Sequence, residues 1–215
     1  MNPDDFQART GVSRETLERL RAYAALLEKW QKAINLVAPN TIPELWSRHF
    51  LDSAQLLSLA PPETRRWLDL GSGGGFPGLV IAAMGVPPER DIGVHLVESD
   101  QRKTAFMREA ARAMGISPVF HVKRIEALDP AALHEVMGGA PQVISARALA
   151  TLPELLGLAH PLAGPDTVYL LPKGRQAQDE LTEARRYWTI GSVEALPSQT
   201  DPAASVLRIK GLHPA

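Results

Sequence analysis

The stretch "RWLDLGSGGGFPGLVI", residues 66–81, leaves the backbone few options. An apolar run of strand length breaks into four glycines within five residues, then a proline and a second apolar run. Glycine admits positive φ and lets the main chain approach a ligand with no Cβ in the way, yet each one costs about 0.5–1 kcal/mol of folding entropy relative to alanine. So much bare backbone at a strand end is expected to serve a ligand rather than only a tight turn. Pro77 is expected at the first position of the next helix, where its missing N–H costs nothing. The free N–H groups of that helix start would favour a negative group.

The surrounding pattern says what kind of sheet carries this loop. The first sixty residues read as helical. "SRETLERLRAYAALLEKW" starts at Ser13, a capping residue, and Leu17, Leu20, Ala24 and Leu27 recur at helical spacing. After the break "NLVAPN", the segment "TIPELWSRHFLDSAQLLSL" predicts a second helix with Ile42, Leu45, Trp46, His49 and Phe50 on one side, ending at Pro61 and Pro62. From there strand-like runs ("RWLDL", "DIGVHLVE", "PVFHVK", "PQVISA", "DTVYLL") alternate with the helical runs "PGLVIAAM", "QRKTAFMREAARAM", "PAALHEVM" and "LPELLGLAH". Such alternation predicts an α/β fold, a mostly parallel sheet covered on both faces. Two final strands, "RRYWTIGSVEAL" and "ASVLRIKGL", have no helix between them and predict an antiparallel pair at one edge. Residues 1–62 are therefore expected to form a helical extension, and residues 63–215 the α/β domain.

Composition removes several chemistries. None of the 215 residues is cysteine, so disulfides and thiolate metal sites are excluded and a reducing compartment is the simplest home. The six histidines show no metal-ligand spacing, and no metal is expected. The start "MNPDDFQART" lacks a basic-then-apolar signal pattern, and no apolar run reaches membrane-spanning length, so a cytoplasmic protein is expected. A net charge of −1 rules out a bulk polycation for nucleic acid but leaves local basic patches open.

An open α/β sheet binds ligands beyond the carboxyl ends of its strands. Gly73, Gly75 and Gly78 satisfy G-x-G-x-x-G, which alone is weak evidence for a dinucleotide. Asp69, in the strand just before the glycines, argues against a pyrophosphate and suits an amino group with a sulfonium. The "GK[ST]" of a triphosphate loop is absent. Glu98, ending the second strand run about 20 residues on, suits the two hydroxyls of a ribose; its alternative is a surface acid or a cap for the helix near Asp100. Glu126 could accept from an adenine amino group with Ile125 against the ring, or could simply be solvated. Together these describe a site for S-adenosylmethionine.

The strings "DLGSGGGFPG", "RHFLDS", "ISARAL" and "LPKG", in this order after two N-terminal helices, resemble the bacterial small-subunit ribosomal RNA guanine-N7 methyltransferase G family, also called glucose-inhibited division protein B. The resemblance spans nearly the whole chain. It implies a class I, Rossmann-like methyltransferase sheet of seven strands with an N-terminal helical extension, transferring methyl from S-adenosylmethionine to N7 of one guanine in 16S ribosomal RNA. It implies cofactor contacts at Gly71 and Phe76, at Ile125 and Glu126, and at Arg147; Gly73, Gly75 and Glu98 complete the expected cofactor set. Where the family usually reads "NLT", this chain has Asn35, Leu36 and Val37.

Guanine N7 carries a lone pair and no proton, so no general base is needed and no catalytic residue is expected beyond positioning and desolvation. Recognition of RNA needs cations. Arg48 and His49 on the helical extension, and Arg124, Lys173 and Arg175 after strand ends, are the expected substrate contacts, with Arg65 and Arg66 before the first strand as further candidates. His95 and His121 lie inside strands and read as structural. The partner is expected to be 16S ribosomal RNA or the small ribosomal subunit, met by a monomer. Three other readings remain: a small-molecule methyltransferase with the N-terminal helices as a lid, a nicotinamide-dependent oxidoreductase, and a non-catalytic RNA-binding factor on an empty nucleotide fold.

Overall fold

A computed structural model describes residues 1–86 and 91–215. Eight α-helices and seven strands are seen among the described residues: α1 (Pro3–Thr10), α2 (Arg14–Trp30), α3 (Asp52–Leu59), β1 (Arg66–Leu70), α4 (Gly78–Met84), β2 (Gly93–Val97), α5 (Gln101–Met114), β3 (Val119–His121), α6 (Pro130–Met137), β4 (Val143–Ala146), α7 (Leu152–Ala159), β5 (Val168–Lys173), α8 (Ala177–Ala184), β6 (Trp188–Pro197) and β7 (Ser205–Pro214). The strands form one sheet in the order β3-β2-β1-β4-β5-β7-β6. All neighbours pair in parallel except β7, which runs antiparallel to both β5 and β6. The expected mixed sheet with an antiparallel edge pair is therefore present.

The strand order reverses beside β1, which pairs with β2 on one side and β4 on the other. That reversal opens a crevice at the strand tips, the usual ligand position in such sheets. Helices cover both faces. Trp67, Val94, Leu96, Leu79 and Phe106 pack with the N-terminal helices in one core; Leu68, Leu70, Ile144, Leu156 and Leu181 form the other. Alternation along β1 explains the split, since Trp67 and Leu68 point to opposite faces.

Residues 1–62 are not set apart from the sheet. Phe6, Tyr23 and Phe50 are fully buried, and Tyr23 stacks on Phe76 of the glycine loop with centroids 5.2 Å apart. The Tyr23 hydroxyl donates to the Gly74 carbonyl. Ser13 caps α2 as expected, accepting from the Thr16 amide at 3.2 Å.

The second predicted helix differs. In place of one helix there is a 3₁₀ segment (Pro39–Glu44), a π-helical turn (Trp46–Leu51) and then α3. Pro43 has no N–H to give a continuing α ladder. The apolar side is as read, with Leu45 and Phe50 buried. Pro77 is also displaced by one position, preceding α4 as its N-cap instead of opening it. Among the described residues no helix is long and apolar enough to cross a membrane.

Candidate functional site

The glycine loop leaves β1 at the crevice. Gly71, Gly73 and Gly75 hold φ of +64°, +56° and +93°. A Cβ on Gly75 would lie 2.6 Å from a Leu79 methyl and 2.7 Å from the Tyr23 hydroxyl oxygen. At Gly73 the nearest atom would be the Gly71 carbonyl oxygen at 3.8 Å. The same residue type thus does two jobs: Gly75 lets the chain pack inward, and Gly73 leaves open space above the main chain.

That space is a cavity of about 750 Å³, lined by Gly71, Ser72, Gly73, Gly74, Phe76, Glu98, Ile125, Glu126 and Arg147, with Leu36, Val37, Ala38 and Thr41 from the helical extension. Its size lies within the ~300–1,000 Å³ usual for small-molecule sites. The tips of β1, β2, β3 and β4 supply the loop, Glu98, Ile125 and Arg147 in turn. Every expected cofactor residue lines it except Gly75, which is buried behind the loop.

Asp69 is the main correction. Its side chain does not face the cavity but is fully buried beneath the loop. There Oδ1 accepts from the Ser145 hydroxyl at 2.7 Å and Oδ2 from the Gly78 amide at 3.1 Å. Trp67 Nε1 donates to the same Ser145 oxygen at 2.8 Å. Asp69 and Ser145 sit opposite each other in the β1–β4 ladder, so the carboxylate ties two strands to the start of α4. The helix-start N–H expected to meet an anion is satisfied by this internal acid. Burial pushes the Asp69 carboxyl up to about 6, with the hydrogen bonds opposing.

Glu98 lines the cavity and also braces the backbone, while Asp100 is the residue that caps α5. One Glu98 oxygen accepts from the Gly73 amide at 2.9 Å and the other from the Asp100 amide at 2.8 Å, at the entrance to α5. A carboxylate has about four acceptor positions, so two remain for diol hydroxyls in the cavity. Gln31 holds the opposite wall. Its side-chain oxygen accepts from the Leu36 and Val37 amides at 2.9 and 3.1 Å, and its nitrogen donates to the Val37 carbonyl at 2.7 Å. At Val37 the wall is apolar where a threonine would place a hydroxyl.

A second cavity of about 560 Å³ shares Arg48, Asp52, Arg147 and Ala148 with the first. It runs along Pro172, Lys173 and Glu180 to Ser198, Thr200 and Asp201 in the β6–β7 connection. Ala148, at φ 51°, is the one non-glycine residue with positive φ among the described residues. That conformation costs about 1–2 kcal/mol. It turns the chain between Arg147, which reaches toward residues 48–52, and Leu149, which covers Gly71.

The expected substrate residues divide. Arg48 lines both cavities and is exposed, and among the described residues its guanidinium pairs with Glu44 alone, at 3.5 Å. Arg124 is exposed on the rim of the first. Lys173 lines the second cavity with its cation already paired: its side chain is 9% exposed, and Nζ donates to Glu180 at 2.8 Å and to the Ala150 carbonyl at 3.0 Å. Arg175 is exposed but lines neither cavity. His49 is buried, with both ring nitrogens engaged. Arg65 and Arg66 sit at the other end of β1, where Arg66 donates to the Ala140 carbonyl. His95 and His121 bond each other at 2.9 Å across β2 and β3.

The sequence reading missed Lys103 and Lys123, two further cations on the first cavity, and Asp52 between the two cavities. Lys123 was visible as the neighbour of Arg124, but Lys103 reaches the rim only because α5 starts beneath Glu98. Among the described residues no group of three or more acidic or histidine side chains is placed to hold a metal.

Residues 16–203 match the family model described as rRNA small subunit methyltransferase G. A ribosomal RNA small subunit methyltransferase G of Parvibaculum lavamentivorans is 55% identical over 213 residues, covering 99% of this chain and 91% of that one. One from Rhodospirillum centenum is 53% identical over 210 residues, covering 98% and 91%. Among solved structures, a glycopeptide N-methyltransferase complexed with S-adenosyl-L-methionine superposes with a TM-score of 0.56 at 9% identity, covering 77% of this chain and 95% of that one. At that identity the likeness speaks to the fold, that of class I methyltransferases.

Proposed function

Because this chain belongs to the rRNA small subunit methyltransferase G family, we propose that its larger cavity holds S-adenosylmethionine and that the second cavity admits a guanine of 16S ribosomal RNA for methylation at N7. Family membership makes the protein an S-adenosylmethionine-dependent RNA methyltransferase and sets aside the metabolite-methyltransferase and nicotinamide readings. The observation that carries the site assignment is the bare backbone at Gly73 facing a cavity whose other wall is Glu98, joined to it by the 2.9 Å hydrogen bond.

The residues present fit this cofactor. Glu98 retains acceptor capacity for a ribose diol, Ile125 offers an apolar face to an adenine, and Glu126 stands beside it to accept from the adenine amine. When bound, the cofactor supplies an electrophilic methyl on a sulfonium. The chain's task is then to orient and to exclude water. Gly71, Gly73 and Gly74 bring main chain against the ligand, and Phe76 closes the floor. Guanine N7 would take the methyl with its own lone pair as the S–CH3 bond breaks and the sulfur departs as a neutral thioether, so no proton need move and no side chain need act as a base. Alignment of two bound reactants can account for a large share of such a rate enhancement.

The rim cations Arg48, Lys103, Lys123 and Arg124 are placed to meet RNA phosphates, and a base drawn from its stack would enter past Arg48 and Arg147. Both cavities belong to one chain, so a monomer suffices.

The decisive experiment incubates the protein with methyl-labelled S-adenosylmethionine and small subunits from a strain lacking the enzyme. Label is expected in the small-subunit RNA, and borohydride reduction followed by aniline is expected to cut that RNA at a single guanine, because N7 methylation makes the imidazole ring labile. Label confined to small molecules, or labelled RNA that resists cleavage, would refute the proposal.

Glu98→Ala is expected to weaken binding of S-adenosylhomocysteine by about 10–100-fold, the loss of hydrogen bonds to a charged acceptor. Isothermal titration calorimetry measures this, and an unchanged Kd would place the ribose elsewhere.

A further inference from the structure

Arg147 leaves β4 and ends among groups drawn from one short segment. Nη1 donates to the Arg48 carbonyl at 3.0 Å and to Asp52 Oδ2 at 3.2 Å, and Nη2 donates to His49 Nδ1 at 2.7 Å. The guanidinium carbon lies 5.2 Å from the centre of the Phe76 ring. The side chain is 18% exposed, so little water competes for these donors. All three polar partners come from the π-helical turn and the residue that follows it. Such turns are rare and recur at functional sites.

The direction of the hydrogen bonds follows from chemistry. A guanidinium only donates. His49 Nδ1 must therefore accept, which leaves the ring proton on Nε2. Nε2 then donates to Thr41 Oγ1 at 2.7 Å, and the Thr41 hydroxyl donates to the Ala38 carbonyl at 2.6 Å. Only a neutral imidazole completes this chain, because an imidazolium would set N–H against N–H. Burial and the adjacent Arg147 and Arg48 keep the ring neutral, holding His49 down at about 3. Ala38, Thr41, His49 and Arg147 all line the larger cavity.

We propose that His49 is a positioning residue of the methyl-transfer site: as a fixed neutral acceptor it sets the plane of the Arg147 guanidinium where the two cavities meet. The helical extension thereby determines the geometry at which cofactor and base approach each other. This rests on the reading that the larger cavity holds S-adenosylmethionine and the second admits the base.

Asparagine can place an oxygen near the position of Nδ1, whereas phenylalanine fills similar space with no acceptor. Full-length His49→Phe and His49→Asn are compared with the wild type for kcat and KM with small-subunit RNA, for calorimetric Kd of S-adenosylhomocysteine, and for Tm. His49→Phe is expected to lower kcat/KM by about 10–100-fold, as loss of one charge-assisted hydrogen bond implies. His49→Asn is expected to recover most of that loss although its Tm falls as well. Equal impairment of the two variants, or wild-type kcat/KM in His49→Phe, would overturn the proposal.

Should His49→Phe not fold, Thr41→Val removes the acceptor of the Nε2–H and so frees the ring that Nδ1 must hold against Arg147. A fall in kcat/KM with the fold intact supports the proposal, and wild-type kcat/KM sinks it. Wild-type binding of S-adenosylhomocysteine and methylation of RNA are measured in parallel, and their absence would count against the underlying site reading rather than against His49.

Discussion

Gly73→Arg is expected to abolish methyl transfer while leaving the protein folded. An arginine at φ +56° carries a strain of about 1–2 kcal/mol. For a chain of this size that lowers Tm by roughly 2–8 °C. Nothing blocks the new side chain at its root, since the nearest neighbour of its Cβ is a carbonyl oxygen at 3.8 Å. Its bulk and charge project into the cavity and occupy the ligand's volume. A loss of at least ~10³-fold in kcat/KM, equivalent to about 4 kcal/mol, is expected. The thermal shift given by S-adenosylhomocysteine, about 2.7 kcal/mol of stabilisation at a hundred times Kd, should vanish with it. Gly75→Ala is the control from the same loop. There a Cβ meets Leu79 and Tyr23 at 2.6–2.7 Å with φ at +93°, so stability should fall more than in Gly73→Arg although only a methyl is added. Full activity in Gly73→Arg would refute the cofactor placement.

That contrast shows what could be read from the chain and what could not. Strand–helix alternation revealed the sheet and its antiparallel edge because periods of 2 and 3.6 are local properties. Glu98 was legible because its spacing from the loop is set by one βαβ unit. The helix α8 escaped notice: only Ala177, Leu181 and Ala184 of its eight residues are buried, too thin a stripe to stand out. The π-helical turn was invisible because it keeps the apolar side of a helix while altering only the hydrogen-bond ladder. Side-chain partners were the least accessible. Asp69 was read as facing a ligand, yet its partner Ser145 lies 76 positions away and enters only when β4 pairs with β1. The pairing of Lys173 is not legible in the sequence, because its partner Glu180 sits on α8. Arg65 and Arg66 lie at the start of β1 as expected, and strand direction puts that end of the sheet away from both cavities.

Acid should destabilise this protein progressively between about pH 6.5 and pH 4, through its buried histidines. Two histidines oppose a buried aspartate, and magnitudes decide the sign. His49 is held neutral by burial and by Arg147 and Arg48, with Asp52 beyond Arg147; His95 is lowered to about 4 by burial and by His121. In the unfolded chain both would protonate near 6.5. Below that value the unfolded state binds more protons, so stability falls as pH falls. By about pH 4 each histidine accounts for a loss of roughly 3 kcal/mol relative to neutral pH. His121 is also lowered, by burial first and then by Lys123, and acts in the same direction. Asp69, raised to about 6, works the other way. Between its unfolded and folded values the native state binds the extra proton, and by about pH 4 it regains roughly 2 kcal/mol. The histidines win, leaving a net loss on the order of 4 kcal/mol, a large fraction of the ~5–15 kcal/mol that holds a domain together. Urea unfolding at neutral pH and near pH 4 measures the difference. His95→Phe should flatten the acid limb and Asp69→Asn should steepen it. An acid limb unchanged by both substitutions would mean that surface groups set the response and that His95 and Asp69 are not held as described.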